Sequence, residues 1–325
     1  DATEGTSDIE LDRIHIQEAG GTGILARTYP FQPTCNEAWT RGNFTQYDTH
    51  VHHNWVDGAG YEGLYIGTSH YDRDEGVGAC EFPDPQAALE GVRIHHNVVE
   101  RVGNDGIQLG AAIRDVEVYS NTVRDYAMNN EGSHAGGLQL NPGTVGTYWN
   151  NYLQAHADAD TAQGVMFTGG EGPVTLHDNV FVGGAKALMT LNHMPNTTEL
   201  VFRDNTWVGD GGGDTFYFFC NVLPEPMTYT IQGNLFSGWA TVGTTVTGGW
   251  NYFNGGDGTH CPINGDVISG YAASMEDLFP SGNHFESDPS GLGFVDPVGE
   301  DYSLSASSPA AGYGATLVGV PALGE

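Results

Sequence analysis

An asparagine followed two residues later by a large apolar residue recurs through most of this 325-residue chain. The asparagines lie 24 to 43 residues apart and are Asn54, Asn97, Asn121, Asn151, Asn179, Asn205 and Asn234. Self-similarity at a period of about 20–50 residues indicates a stack of repeats. This feature constrains the fold most, because equivalent positions of successive repeats in such a stack lie side by side.

Apolar residues alternate around each asparagine. The residues three positions before it are Val51, Ile94, Val118, Tyr148, Leu176, Phe202 and Ile231, and those two positions after it are Val56, Val99, Val123, Leu153, Phe181, Trp207 and Phe236. Period-two alternation through this run predicts one strand with a buried face. A second strand follows a small residue in each repeat, as after Gly63, Gly106 and Gly137.

Short strands and sharp turns in repeats of roughly 27 residues predict an all-β solenoid whose coils rise by about 4.8 Å each. The chain resembles the right-handed parallel β-helix, or pectate-lyase-like, superfamily. We expect coils over residues 1–255 and a closing segment of the same domain over 256–325, where Asp288-Pro289 and Ser308-Pro309 are similar to the ends of secreted bacterial β-helix proteins. The asparagines are assigned to a structural ladder, since an amide at a fixed turn position bonds its equivalents and nearby backbone.

Acidic residues dominate the charge. There are 41 Asp and Glu against 10 Lys and Arg, which gives a formal net charge of −31. Nucleic acid and anionic membrane surfaces are therefore poor partners, because both need a cationic footprint. The sequence also lacks an apolar run long enough to span a bilayer. The acidity favours a high-salt or marine habitat, and bound calcium is the alternative explanation.

The four cysteines predict disulfides and an extracellular location. They are Cys35, Cys80, Cys220 and Cys261, with no CxxC motif that would indicate a zinc or redox site. Cys35 and Cys80 occur in long insertions after equivalent strands, so we expect these two to pair. Cys220 and Cys261 are left to tie the tail to the last coils. Such bridges are typical of an oxidising compartment.

Outward polar residues are concentrated in the N-terminal half, where insertions at 27–46 and 68–90 would wall a groove. In the first strand, the predicted catalytic residues are His52, Arg93, His95, Glu117 and Tyr119, with His50 beside them. Imidazoles with a carboxylate suit acid–base chemistry or a transition metal, and a solvated histidine surface is the alternative. The predicted substrate-binding residues are Tyr65, Gln108, Gln139 and Trp149, and Met166 and Met189 continue the outward row of the second strand.

A second cluster precedes the second strand. Glu62 and Asp105 each stand one position before a glycine and should stack, with Asp57, Asn104, Glu131 and His134 on adjoining turns. Paired carboxylates hold calcium or divide acid and base roles, and turn formation is the alternative. Asn104-Asp105-Gly106 is similar to a polygalacturonase segment. That family's Asp-Asp pair and Gly-His-Gly are missing here, so its mechanism is not carried over.

The resemblance implies a secreted carbohydrate-active protein that cleaves an acidic polysaccharide by β-elimination or hydrolysis. A non-catalytic structural or adhesive protein is the alternative, either a stalk or fibre subunit that self-associates or a calcium-dependent glycan-binding module. The fold supports all of these, so the residues of the site must decide between them.

Overall fold

A computed structural model shows that the chain is a parallel β-helix. In the described residues, each of the first seven coils contributes one strand to each of three parallel sheets, and two antiparallel hairpins occur near the C-terminus. The described residues are 2–30, 35–71, 86–168, 171–184, 187–192, 196–209, 214–219, 228–238, 261–263, 266–268, 282–286 and 288–318. None of the helices in these ranges is long and apolar enough to cross a membrane.

The strands are numbered in chain order. The first sheet contains β1 (Ile9–Asp12), β4 (Thr45–His52), β7 (Ala88–His95), β10 (Ala112–Tyr119), β13 (Gly146–Trp149), β16 (Glu171–His177), β19 (Asn196–Arg203) and β22 (Thr228–Gln232). The second contains β2 (His15–Gln17), β5 (Trp55–Asp57), β8 (Val98–Glu100), β11 (Thr122–Tyr126), β14 (Tyr152–Ala155), β17 (Val180–Val182), β20 (Thr206–Val208), β23 (Leu235–Ser237) and β26 (His284–Glu286). The third contains β3 (Ile24–Ala26), β6 (Leu64–Ile66), β9 (Ile107–Leu109), β12 (Gly136–Leu140), β15 (Gln163–Phe167), β18 (Ala187–Asn192) and β21 (Asp214–Phe219).

The remaining elements are short. The hairpins are β24 (Cys261–Ile263) with β25 (Asp266–Ile268), and β27 (Phe294–Asp296) with β28 (Asp301–Leu304). Two single-turn 3-10 helices span Glu37–Trp39 and Pro289–Gly291.

The prediction of one continuous strand across each asparagine is wrong, because the chain turns a corner there. The residue before each asparagine has a left-handed backbone, as at His53 (φ 52°), His96 (φ 54°) and Asp178 (φ 53°). Only glycine and a few polar residues adopt this conformation readily. The corner sends residues before the asparagine into the first sheet and residues after it into the second.

The asparagine ladder is confirmed, and it is one rung longer than the repeat count indicated. Each Nδ2 donates to the Oδ1 of the next asparagine at 2.9–3.0 Å, from Asn54 through Asn234 and on to Asn283. The same Oδ1 accepts the preceding rung's backbone N–H, as from Asn97 to Asn121 at 3.1 Å. The ladder therefore satisfies buried amides at every corner.

The core is a column of the predicted apolar positions. The residues three before each asparagine are all buried, from Val51 to Ile231. On the C-terminal side of the column, the Trp207 ring stacks on Phe181 at 3.9 Å between centroids and on Phe236 at 6.2 Å. Such stacks bury large apolar areas in each coil.

The C-terminal segment runs back along the second sheet. Ala315 donates its N–H to Thr206 Oγ1 at 2.8 Å, and Val318 donates to Asn150 Oδ1 at 2.8 Å. Strand β26 pairs with β23, so the second sheet continues past residue 255. The outward row of the third sheet also differs by one residue from its prediction: Met166 pairs with Thr190, and Met189 pairs with Val165.

Candidate functional site

Four of the predicted site residues form one row on the first sheet. His52, His95, Tyr119 and Trp149 are in register on neighbouring strands, and His177 follows them. Their rings stack face to face, with centroids 4.8, 4.8, 4.4 and 5.9 Å apart along the row. Each inner ring is therefore covered on both faces, and a sugar could reach Trp149 only at its edge.

A second outward row on the same sheet contains the predicted Arg93 and Glu117. Arg93 Nε lies 2.7 Å from Glu117 Oε2, and Arg93 also donates to the backbone oxygens of Val92 and Asp115. The register places His50 beside Arg93. The guanidinium is thus engaged by groups of its own sheet, which opposes its use to neutralise a substrate carboxylate.

His95 of the first row and its chain neighbour His96 favour the neutral form. Burial, followed by the neighbouring imidazoles of His52, His96, His53 and His50, lowers the pKa of His95 to about 4. Burial and His53 likewise lower the pKa of His96. At neutral pH His95 is an unprotonated but weak base, because its low pKa reduces its driving force for taking a proton.

The second predicted cluster is on the other face, where the third sheet begins. His134 Nδ1 lies 3.6 Å from Asp105 Oδ2 and 3.7 Å from Glu62 Oε1. One atom from each of these three side chains lies within 4.8 Å of the other two. Asp105 is fully buried and Glu62 nearly so, whereas the His134 side chain is 35% exposed. His134 is therefore the member of this trio that a ligand can reach.

Hydrogen bonds fix Asp105 in place. The Gly136 N–H donates to Asp105 Oδ1 at 2.7 Å. The Gln139 amide nitrogen faces Asp105, because only that orientation pairs a donor with the carboxylate, and it donates to the two oxygens at 2.9 and 2.8 Å. The Gln139 oxygen then accepts from Gln108 Nε2 at 3.2 Å. Two predicted substrate-binding residues, Gln108 and Gln139, are thus buried supports of the carboxylate.

Glu62 and its neighbours complete the arrangement. Glu62 Oε2 accepts from Thr22 Oγ1 at 2.8 Å, and its Oε1 lies 3.4 Å from Asn104 Nδ2. Tyr65, three residues farther along the chain, is half-buried and in register with Gln108 on the third sheet. Its hydroxyl hydrogen-bonds Ser69 Oγ at 3.1 Å.

The pKa values of Asp105 and His134 are shifted by burial and by their mutual contact. Burial raises the pKa of Asp105 to about 6, against the lowering effects of His134 and the Gly136 N–H. The Asp105 carboxylate, 3.6 Å from Nδ1, raises the pKa of His134, against the lowering effect of burial. A carboxyl and an imidazole whose pKa values are both raised can exchange a proton with a bound molecule.

Calcium is a poor match for this trio. The cation prefers six to eight oxygen ligands. Both Asp105 oxygens already accept hydrogen bonds from Gln139, and His134 contributes a nitrogen. The chemistry of these groups suits proton transfer better than calcium binding.

The structure separates predictions that the sequence placed in one groove. His52, Arg93, His95, Glu117, Tyr119 and Trp149 lie on the first sheet, whereas Tyr65, Gln108, Gln139, Glu62 and Asp105 belong to the third. The predicted Cys35–Cys80 and Cys220–Cys261 pairs each involve a cysteine outside the described residues, Cys80 or Cys220, so both stay predictions.

The first coil contains partners that sequence reasoning missed. Asp12 pairs in register with His52, and Glu10 Oε1 lies 3.0 Å from His52 Nε2. This coil has Ile14 at the ladder position, where its N–H donates to Asn54 Oδ1 at 2.9 Å. The repeat count began at the first asparagine and so passed over it. An apolar pattern ending at Asp12 would have been the signal.

Comparisons with protein-family models, curated proteins and solved structures found no match to this chain. Strand order and register are therefore what define its architecture.

Proposed function

We propose that the protein is a carbohydrate-active enzyme that cleaves an acidic polysaccharide by acid–base chemistry at His134, Asp105 and Glu62. The supporting observation is the trio itself, in which a partly exposed imidazole lies 3.6 and 3.7 Å from two buried carboxylates. Buried titratable groups with raised pKa values cluster at catalytic sites more often than elsewhere. The likeness to the pectate-lyase-like superfamily adds a fold-level analogy.

The proposed roles follow from accessibility. His134 transfers the proton, because it is the exposed member, while Asp105 orients the imidazole and stabilises its cation. In an elimination, neutral His134 takes the C5 proton of a uronate, the electron pair forms the C4–C5 double bond, and Tyr65 protonates the departing oxygen. In hydrolysis, protonated His134 gives its proton to the glycosidic oxygen as the C1–O bond breaks, and water forms the new bond to C1 while its proton passes to Glu62.

The proposed setting is extracellular. The excess of acidic residues suits a high-salt or marine environment. The proposed disulfides, Cys35–Cys80 and Cys220–Cys261, suit an oxidising compartment. Nucleic acid is not a proposed partner, because the net charge is −31.

The test is degradation of a panel of uronate polymers. Ultraviolet absorbance reports unsaturated ends from elimination, and a reducing-end assay reports both reactions. His134→Ala is expected to slow the rate by about 100-fold or more, the usual contribution of a general acid or base. His177→Ala, in the outward row of the first sheet, is the matched control and should leave the rate unchanged.

Two results would contradict this assignment. If no polymer yields product with the unmodified protein, the enzymatic proposal fails. If His95→Ala or Glu117→Ala abolishes cleavage while His134→Ala does not, the reaction takes place on the first sheet.

A second candidate is a non-catalytic structural or adhesive protein. The observation that favours it is the first sheet's outward face, where rings stack on rings and Arg93 pairs with Glu117. Such a face is rigid and engages its own side chains. Light scattering at rising protein concentration tests self-association, and glycan-array binding with the His134→Ala variant tests adhesion without catalysis.

A further inference from the structure

Two consecutive coils end their first-sheet strand with a pair of histidines whose ring nitrogens face each other. His52 Nδ1 lies 2.9 Å from His53 Nδ1, and His95 Nδ1 lies 2.9 Å from His96 Nδ1. The left-handed backbone at His53 and His96 turns the chain at the second histidine, so the two consecutive side chains meet. The pairs stack with ring centroids 4.8 and 5.1 Å apart.

The preceding coil adds a carboxylate to the first pair. Asp12 Oδ1 lies 3.0 Å from His52 Nδ1 and 3.7 Å from His53 Nδ1. Two nitrogens and an oxygen at these mutual separations match ligands that share one cation, because bonds of about 2.0–2.2 Å at angles between 90° and 120° give such spacings. A cation just off the plane of the three atoms would lie at the metal–ligand bond length from each of them.

The positions of the protons on these side chains support a cation at that point. Glu10 Oε1 lies 3.0 Å from His52 Nε2, which places a proton on Nε2 and leaves a lone pair on Nδ1. That lone pair faces Asp12 Oδ1, a buried acceptor without a hydrogen-bond donor in the described part of the chain. Asp12 Oδ2, in contrast, is contacted by Arg13. A proton on His53 Nδ1 would be shared with His52 Nδ1 at 2.9 Å and would leave Asp12 Oδ1 without a donor, whereas one cation satisfies all three atoms.

The access and the donor types indicate the class of cation. His53 is 45% exposed, Asp12 23% and His52 14%, so an ion can enter from solvent and keep water on its open side. Two imidazoles with one carboxylate suit divalent zinc, copper or nickel better than calcium or magnesium. The His52 contact to Glu10 is the carboxylate–histidine arrangement that orients metal-binding imidazoles.

We propose that Asp12, His52 and His53 bind one transition-metal ion, with Glu10 orienting His52. The second histidine pair, His95 and His96, has no carboxylate in register on either neighbouring coil, where His52 and Tyr119 stand. Tight binding is therefore confined to the first pair. This site lies on the first sheet and is independent of the proposed enzymatic centre on the third.

Zinc titration of the chelator-treated chain by isothermal calorimetry tests the proposal. At pH 7.5, the unmodified protein should bind one tight Zn²⁺ per chain. His53→Ala and Asp12→Asn should each weaken binding by about 30-fold or more, and Glu10→Gln by about 10-fold, in line with the usual cost of losing a ligand or its orienting partner. Paramagnetic resonance of the Cu²⁺ complex should show two coupled nitrogens, one of which disappears in His53→Ala.

Control variants distinguish this site from metal binding elsewhere on the chain. His177→Ala, at the equivalent position three coils away from His95, should keep the affinity of the unmodified protein. His134→Ala should do the same, and a loss there would move the ion to the third sheet and overturn the assignment. Weak binding of several ions per chain, unchanged by His53→Ala, would mean adventitious binding to surface histidines only and would overturn the proposal.

Absence of any Zn²⁺ binding at pH 7.5 would also overturn the proposal. Melting curves recorded in chelator verify that each variant folds like the parent. Loss of affinity without a change in these curves assigns the effect to the ligands.

Discussion

Replacing Asn121 by alanine removes one rung from the middle of the ladder. Its Oδ1 accepts the backbone N–H of Asn97 at 3.1 Å and the Asn97 amide at 2.9 Å. Its Nδ2 donates to Ile94 O, Tyr119 O and Asn151 Oδ1 at 3.0, 3.1 and 2.9 Å. Asn97 and Asn121 are fully buried, so water cannot replace these bonds.

The expected loss of stability follows from these contacts. The orphaned Asn97 N–H costs about 1–3 kcal/mol, and the other lost bonds contribute up to about 1 kcal/mol each, which gives roughly 4 kcal/mol in total. The end rung is the matched control. Asn283 also bonds its neighbour and Ile231 O, but it is only partly buried, so Asn283→Ala should cost about 1–2 kcal/mol.

Urea unfolding measures both variants. Circular dichroism and tryptophan fluorescence must report coincident transitions, and the dependence of the unfolding free energy on urea must match the parent, for midpoints to be compared as free energies. A loss for Asn121→Ala below about 1 kcal/mol, or no larger than that of Asn283→Ala, would refute the ladder as a principal source of stability.

Three further predictions concern pH, packing and calcium. The folded-state pKa of His95 is about 4, against an ordinary value of 6.5, so the unfolded chain takes up a proton at this residue first as the pH falls. The contribution of His95 therefore makes the free energy of unfolding fall as pH drops from about 6.5 to about 4. Urea midpoints at pH 7 and pH 5 should differ less in a His95→Tyr variant than in the parent. Gly106→Ala should destabilise strongly, because its new Cβ would lie 2.3 Å from Val123 Cγ1, whereas Gly20→Ala meets open space and should be nearly neutral in the same urea assay. Calcium should raise the melting temperature by less than about 1 °C over chelator, since only an ion bound to the native state stabilises it, and a larger shift would support the calcium prediction for the third sheet.

The sequence was a good guide to the stack and a poor one to its corners. Counting residue positions from each asparagine identified the buried column and the outward row of His52 and His95. This works because equivalent positions of successive coils in a solenoid are in register. The same count could have found Asn283, since Gly282-Asn283 repeats the pattern of Gly233-Asn234. It could not show that the chain bends at each asparagine, because the left-handed residue before it varies from histidine to serine, aspartate and glycine.

One predicted groove became two sites because the outward positions of both predicted strands of a repeat were assigned to one surface. These strands belong to the first and third sheets, and in each coil a strand of the second sheet lies between them in the chain. The contact between His134 and Asp105 was also beyond the repeat pattern. His134 belongs to the connection between β11 and β12, which is longer than the equivalent connection between β8 and β9, and only its folded path brings it to the carboxylate.

The two clusters differ in how their charges balance, and that difference assigns them different ligands. On the outward face of the first sheet, the Glu117 carboxylate meets one cation, the guanidinium of Arg93. At the third sheet, two carboxylates share the single imidazole of His134, so the trio retains a proton at a pH where isolated carboxyls are ionised. At the corner of the first sheet, two imidazoles face one oxygen of Asp12 with no donor assigned to it. The first imbalance is relieved by a mobile proton and the second by a metal ion, which is why proton transfer and metal binding are proposed on separate faces of the same solenoid.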